Sequence, residues 1–328
     1  MRRAIELAAS VRATAHPNPW VGCLIESVDG HIFEGATQPP GQAHAEVVAL
    51  ERAGEAARGA TIWTTLEPCA HTARTAPCAD ALVAAGVRRV VVAVEDPDPR
   101  VQGRGIARLR AAVIEVTIGV GAREARAQLA PYIKHRRTGR PWVVLKLAAT
   151  LDGRTAAPDG TSQWITGEAA RADAHRLRAE SDAVLVGAGT VKADDPALTV
   201  RLVPERPDPL RVVLGSAPPG ARCQPCLELT GELGAVLDEL GRRDVVQVLV
   251  EGGATVAGAF HRAGLVDRYV LYLAPALFGG DDARPLFRGP GSATLADVWR
   301  GRIESIEQLG DDLRVELVPA EEETCSPG

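Results

Sequence analysis

His44-Ala45-Glu46, followed by Pro68-Cys69 and then Pro77-Cys78, is the part of this 328-residue sequence best suited to chemistry. One imidazole and two thiolates make three metal ligands. A tetrahedral zinc so held keeps its fourth position open for water, which marks a catalytic rather than a structural site. The metal lowers the pKa of that water towards neutrality. Glu46 is not needed as a ligand and is placed to carry protons between water and a leaving group. The spacing predicts that His44 and Glu46 open a helix. Pro77-Cys78 should open another, with Pro at the first helical position, where its missing N–H costs nothing. A helix N-terminus also favours thiolate over thiol. Taken singly, each of these residues is ordinary; in this order and context they read as one site.

The other cysteines carry weaker signals. Cys23 lies in an apolar run and reads as core, and Cys325 lies in the tail. Cys223-Gln224-Pro225-Cys226 has no second pair and no thioredoxin-like setting, so it reads as incidental thiols. Glycines punctuate the second half. At Glu251-Gly252-Gly253-Ala254-Thr255 a strand-to-glycine-to-helix junction would bring backbone N–H groups and a helix dipole to an anion, so phosphate binding is expected there. Plain tight turns in an α/β domain explain the same residues equally well. Gly187-x-Gly189 and Gly103-x-Gly105 lack the third glycine of a dinucleotide fingerprint.

The elements that must position these residues follow from periodicity. Helical spacing covers 2–13, 43–56, 78–85, 106–112 and 124–137, and strand-like runs cover 21–25, 61–66, 89–94 and 113–118. Asp29-Gly30 marks a hairpin turn. Alternating strands and helices imply a mainly parallel sheet covered on both faces. Thr138-Gly139-Arg140-Pro141 breaks the chain, so we expect domains at 1–138 and 139–320 and a flexible tail at 321–328. In the second domain, strands are expected at 143–147, 183–186, 210–214, 245–250 and 268–273, with a last edge strand at 313–318. Helices are expected at 168–179, 232–240 and 254–263.

Composition limits the functions. The net charge of −5 and the sparse aromatics (five Trp, three Tyr, four Phe) exclude a basic, aromatic-lined nucleic-acid channel. No apolar run reaches the roughly 20 residues of a membrane span, and the N-terminus has no signal-peptide pattern, so a cytoplasmic protein is expected. Lysine occurs only at 134, 146 and 192, which makes Lys146, expected at the end of a strand of the second half, worth following.

His-Ala-Glu with a later Pro-Cys and Cys resembles the cytidine-deaminase-like superfamily, although eight residues separate Cys69 from Cys78 where most members have two. The stretch from Thr65 to Cys78, together with His16-Pro17-Asn18-Pro19-Trp20-Val21-Gly22, closely resembles the deaminase half of the bifunctional riboflavin-biosynthesis deaminase–reductases. The second half resembles their reductase half. The resemblance implies a cytidine-deaminase-like three-layer α/β/α domain followed by a dihydrofolate-reductase-like α/β domain. It implies zinc on His44, Cys69 and Cys78, with Glu46 as the catalytic proton carrier and Asn18 and His71 at the pyrimidine. For NADPH it implies Ala148, Trp164, Thr190, Asp194, Ser216, Gly253, Ala254, Thr255, Val256, Ala257, Gly258 and Ala259. For the phosphorylated pyrimidine substrate it implies Ser162, Arg178, Leu198, Arg201 and Glu251, and we add Lys146 at the ribosyl group. Guanidinium groups at 178 and 201 suit a phosphate, which they bind bidentately. A homo-oligomer joined through the reductase domain is also implied. The chain departs from the pattern between Ser216 and Glu251, where it is shorter. That leaves open a protein that deaminates but, with segment 217–250 compressed, does not reduce.

Overall fold

Gly35 has no room for a side chain: a Cβ there would lie 2.1 Å from the Ala45 carbonyl oxygen and 2.6 Å from the Ala49 nitrogen. Such backbone-to-backbone contact between a strand and a helix sets the spacing of the first half. The computed structural model describes residues 1–70, 77–99, 101–201 and 208–320. The chain divides into two compact units, Met1–Arg140 and Pro141–Gly328.

The first unit runs α1 (Arg2–Ser10), α2 (Arg12–Ala15), β1 (Gly22–Glu26), β2 (Ile32–Ala36), α3 (Ala45–Ala53), β3 (Thr61–Leu66), α4 (Cys78–Ala85), β4 (Arg89–Val94), α5 (Arg104–Ala111), β5 (Glu115–Ile118), α6 (Ala122–Gln128) and α7 (Ala130–Thr138). Its sheet has the order β2-β1-β3-β4-β5. The β1 strand is antiparallel to both neighbours, whereas β3, β4 and β5 are parallel. The apolar run of β4 is buried at Val90 to Val94, as expected of a strand covered on both faces. The single helix expected over 124–137 is two helices, because Pro131 at the second helical position starts a new one.

The second unit runs β6 (Trp142–Thr150), β7 (Arg154–Ala156), α8 (Glu168–Ala179), β8 (Ala183–Gly187), α9 (Ala188–Asp194), β9 (Leu210–Leu214), β10 (Leu227–Leu229), α10 (Leu233–Arg242), β11 (Gln247–Val250), α11 (Ala254–Arg262), β12 (Arg268–Ala274), β13 (Arg284–Pro285), β14 (Gly301–Leu309) and β15 (Asp312–Pro319). Its sheet has the order β10-β9-β8-β11-β6-β12-β15-β14, parallel as far as β12 and antiparallel beyond. The expected edge strand at 313–318 is in fact internal. The edge is β14, whose nearly all-exposed residues give no apolar alternation to read. Side chains alternate across β6. Val143, Leu145 and Leu147 enter a core with Leu237, Leu240 and Phe260, while Val144 enters another with Leu177 and Val184. Lys146 and Ala148 share the face of Val144, and this parity sends them towards α8 and the cleft described below.

The Gly35 contact makes a prediction. Gly35→Ala should push α3 away from β2 and lower unfolding stability by about 1–3 kcal/mol, as overpacking does. Thermal and urea melts measure it, and an unchanged midpoint would show that the two elements can separate freely.

Candidate active sites

His44 is the residue preceding α3, and Cys78 is the first residue of α4. Pro77 therefore stands one position earlier than expected, as the cap rather than the first helical residue. The two helix starts converge. His44 Nδ1 lies 3.3 Å from Cys78 Sγ and 3.6 Å from Cys69 Sγ. All three donor atoms lie within 4.8 Å of one another. With Zn–S of about 2.3 Å and Zn–N of about 2.0–2.1 Å, a tetrahedron needs N···S near 3.6 Å and S···S near 3.8 Å. The residues present fit a zinc ion, with Nδ1 as the imidazole donor.

The electrostatics suit this too. Cys69 Sγ accepts the backbone N–H of Cys78 at 3.3 Å. The Cys78 thiol donates to Cys69, and this together with the His44 contact outweighs desolvation and brings Cys69 down to about 4. Cys78 is pushed far up, because it holds the shared proton and is buried. A cation between them removes that proton, since a coordinating thiol is deprotonated. His44 is raised, chiefly by its contact with Cys69. Glu46 is 4 % exposed. Burial first, and the Cys69 charge second, push its carboxyl up to about 7. It is thus poised to gain and lose a proton at neutral pH.

Glu67 was not singled out in the sequence, yet it anchors this corner. It is 3 % exposed. One carboxylate oxygen accepts the N–H groups of Asp96 and Gly103, the other those of Gly105 and Ile106, at 2.9–3.2 Å. The only sequence signal was its place before Pro68-Cys69, because its partners lie 29 to 39 residues away. Asn18 is half-buried, and its N–H bonds the Ala15 carbonyl. His71 lies outside the described residues.

In the second unit a cleft of about 1180 Å³ opens along the carboxyl ends of the parallel strands, the usual ligand crevice of such sheets. It is lined by Lys146, Ala148, Ser162, Trp164, Arg178, Thr190, Asp194, Leu198, Arg201, Glu251 and the segment from Gly253 to Val256. Ser216, Ala257, Gly258 and Ala259 do not line it. Ser216 is exposed beyond the end of β9, and Ala257 is turned into the core with Phe260. At Gly258 a Cβ would meet the Arg288 carbonyl at 2.2 Å, so this glycine serves packing. Lys146 lies in the middle of β6 rather than at its end, 5.7 Å over the Tyr272 ring.

Arg178 and Glu251 form a bidentate ion pair with N···O distances of 2.6 and 2.7 Å. Arg178 also donates to the Thr199 carbonyl. Burial opposes ionisation of Glu251, but Arg178 and then Lys146 outweigh it and hold the carboxyl at about 2. Burial lowers Lys146. The Thr190 hydroxyl accepts the Gly253 N–H at 3.2 Å, tying the starts of α9 and α11 together. Trp164 is 68 % exposed, with the Arg171 guanidinium 4.8 Å over its ring. Leu198 is buried with φ of 54°, a left-handed backbone that non-glycine residues seldom adopt. Sequence reading missed Arg171, Arg222, Arg284 and Arg288, which also line the cleft. The last two arrive through pairing of β13 with β7, a contact with no local sequence mark.

Fold and sites together define a two-domain enzyme, with a zinc-dependent deaminase domain and a dihydrofolate-reductase-like reductase domain. The family model described as the cytidine and deoxycytidylate deaminase zinc-binding region matches residues 1–94. That of the RibD C-terminal domain matches residues 141–315. The riboflavin biosynthesis protein RibD of Escherichia coli K12 is 43 % identical, over 98 % of both chains. That of Mycobacterium tuberculosis is 45 % identical, over 97 % of this chain and 96 % of its own. Among solved structures, Acinetobacter baumannii RibD has a TM-score of 0.92 at 41 % identity, over 98 % of both chains. The diaminohydroxyphosphoribosylaminopyrimidine deaminase/5-amino-6-(5-phosphoribosylamino)uracil reductase of Thermotoga maritima has 0.89 at 32 %, over 98 % of this chain and 97 % of its own. The chain belongs to the RibD family of riboflavin biosynthesis proteins. It is a bifunctional deaminase and reductase whose cofactors are zinc and NADPH.

The Arg178–Glu251 pair makes a pH prediction. Glu251 ionises at about 2 in the folded protein against an ordinary 4.5, so its stabilisation is complete above pH 4.5 and is lost as pH falls towards 2. Glu251→Gln should cost about 3–5 kcal/mol at neutral pH by leaving Arg178 and Lys146 buried without their partner. The variant should also lose less stability than wild type between neutral pH and about pH 3. Urea titrations at both pH values measure this, and parallel losses in the two proteins would contradict it.

Proposed function

We propose that the first domain removes the 2-amino group of 2,5-diamino-6-(5-phosphoribosylamino)pyrimidin-4-one by hydrolysis, and that the second reduces the ribosyl group of the product to ribityl. What carries this reading is the buried Glu46 beside three donors spaced for zinc, since a purely structural zinc site has no use for such a carboxyl. Zinc, which His44, Cys69 and Cys78 would hold, would supply a water of lowered pKa. Glu46 takes a proton from the attacking water as its oxygen adds to ring C2, then gives it to the departing nitrogen, which leaves as ammonia. Asn18 and His71 hold the pyrimidine.

In the second domain NADPH would supply the hydride for ribosyl C1, whose bond to the ring oxygen breaks as that oxygen takes a proton from solvent, and the protein's part is alignment. Ala148, Trp164, Thr190, Asp194 and the start of α11 hold the cofactor. Lys146 and the Arg178–Glu251 pair orient the ribosyl group, with Ser162 and Leu198 beside it, and Arg201 receives the phosphate. Among the described residues, seven cations against three acids line the cleft, which favours two anionic ligands and speaks against a protein that only deaminates. The compartment of this reading is the cytoplasm. No described helix is long and apolar enough to cross a membrane, and the zinc ligands require reduced thiols.

The reading includes a homo-oligomer joined through the reductase domain. Its support is β14, a nine-residue edge strand with Ile303 and Ile306 more than half exposed. An edge strand of this length, unpaired on one side, invites pairing with another chain.

A coupled assay tests the chemistry. Zinc-loaded protein given the diaminopyrimidine should release ammonia and then oxidise NADPH. Glu46→Gln should lower ammonia release by about 10²–10⁴-fold, the usual contribution of a positioned proton carrier, while keeping its zinc and its NADPH oxidation on the deaminated substrate. Near-normal ammonia release by this variant would falsify the assignment of Glu46. Light scattering tests assembly. Wild type should run as an oligomer and Ile306→Asp as a monomer, and a monomeric wild type refutes the oligomer.

A further inference from the structure

We infer that Arg222 reads the 2′-phosphate of NADPH and so makes the cleft prefer NADPH to NADH. The inference rests on the cleft being the cofactor site. The strands beneath it lie in the order β9-β8-β11-β6. At about 4.8 Å per strand, β6 and β9 stand about 14 Å apart, so a dinucleotide can lie across the strand ends. Its orientation follows from the groups present. Hydride must be delivered near Lys146 on β6 and Glu251 at the end of β11. The α11 N-terminus, joined to α9 through the Thr190–Gly253 bond, suits the diphosphate in the middle. Adenosine is left with the β9 end.

Arg222 lines the cleft from the loop after β9, and among the described cleft residues it is the one cation that this loop contributes. Its side chain is exposed, and its guanidinium has no ion pair or hydrogen bond among the described residues. Its backbone, by contrast, is fixed. The Arg222 N–H bonds Asp195 Oδ1 at 2.8 Å. Cys223, the next residue, is fully buried in the core. The Gln224 N–H closes a turn on the Ala221 carbonyl, and Arg211 donates to the Gln224 carbonyl while paired with Asp208. A cation with a fixed backbone and an unpaired head can meet an anion without first breaking an ion pair. The neighbouring Asp194 also lines the cleft. An acid there suits a ribose hydroxyl and repels a phosphate, so a 2′-phosphate needs the opposing charge of Arg222. This residue lies within the compressed segment, so the shorter chain keeps a phosphate-reading group rather than losing one.

The test is binding, not turnover. The full-length protein is titrated by calorimetry with 2′,5′-ADP and 5′-AMP, and by fluorescence with NADPH and NADH. Arg222→Ala should weaken 2′,5′-ADP and NADPH by about tenfold or more, as expected for a lost charge-assisted bond. It should leave 5′-AMP and NADH within about twofold, because they lack that phosphate. Arg222→Lys, which keeps charge but not the planar fork, should fall between. Equal losses for all four probes, or none for 2′,5′-ADP, overturn the assignment of Arg222. A wild-type protein that binds neither NADPH nor 2′,5′-ADP overturns the cofactor reading beneath it.

Discussion

Glu67 and Glu251 sit at corresponding places in the two domains, each just past the carboxyl end of a parallel strand and each almost sealed from water. A carboxylate is buried at acceptable cost only where donors surround it. Glu67 meets that condition with four backbone N–H groups, and Glu251 with a bidentate arginine and a nearby lysine. Both arrangements lock distant pieces of chain to the strand end where function lies. Glu67 binds the Asp96 turn and the start of α5 to the residue before Pro68-Cys69. Glu251 binds α8, and through Arg178 the Thr199 carbonyl, to the strand that leads into α11. Neither site would hold its shape if these carboxylates were replaced by apolar groups of equal size.

Glu46 makes the contrast. It is as buried as Glu67 but has no comparable ring of donors among the described residues, and its strongest charged neighbour is Cys69. Its proton is therefore held near neutrality, whereas Arg178 keeps Glu251 charged. Three glutamates take three states, ringed by donors, poised to titrate near neutrality and paired with a cation, because their surroundings differ.

What was legible in the sequence was what is local. His44-x-Glu46 and the two Pro-Cys steps announce themselves because a metal site needs particular side chains at two helix starts and just past a strand end. The continuous apolar runs of β4, β8 and β11 read as buried parallel strands. What failed was long-range or polar. The β14 strand has no apolar face, so its pairing with β15 supplies the only order it has. Residues 257–259 sit on a helix of which only the first turn lines the cleft, a distinction that sequence alone does not draw. Arg284 and Arg288 look like ordinary surface cations until β13 meets β7. Glu67 looks like any acid before a Pro-Cys step until α5 closes on it.

The net charge of −5 and the cationic cleft are two scales of one electrostatic design. At physiological ionic strength, exposed charges farther apart than about 8 Å are largely screened from one another. An anionic ligand inside the cleft therefore responds to the arginines lining it rather than to the total. Distributing those cations also matters more than their number. Arg178 is spent on Glu251 and orients rather than attracts, whereas Arg201, Arg222 and Arg288 stand at separate points around the rim. Two anions that must lie side by side for hydride transfer repel each other. In the proposed reading, separate cations for each phosphate group let cofactor and substrate bind together, where one strong central charge would make them compete.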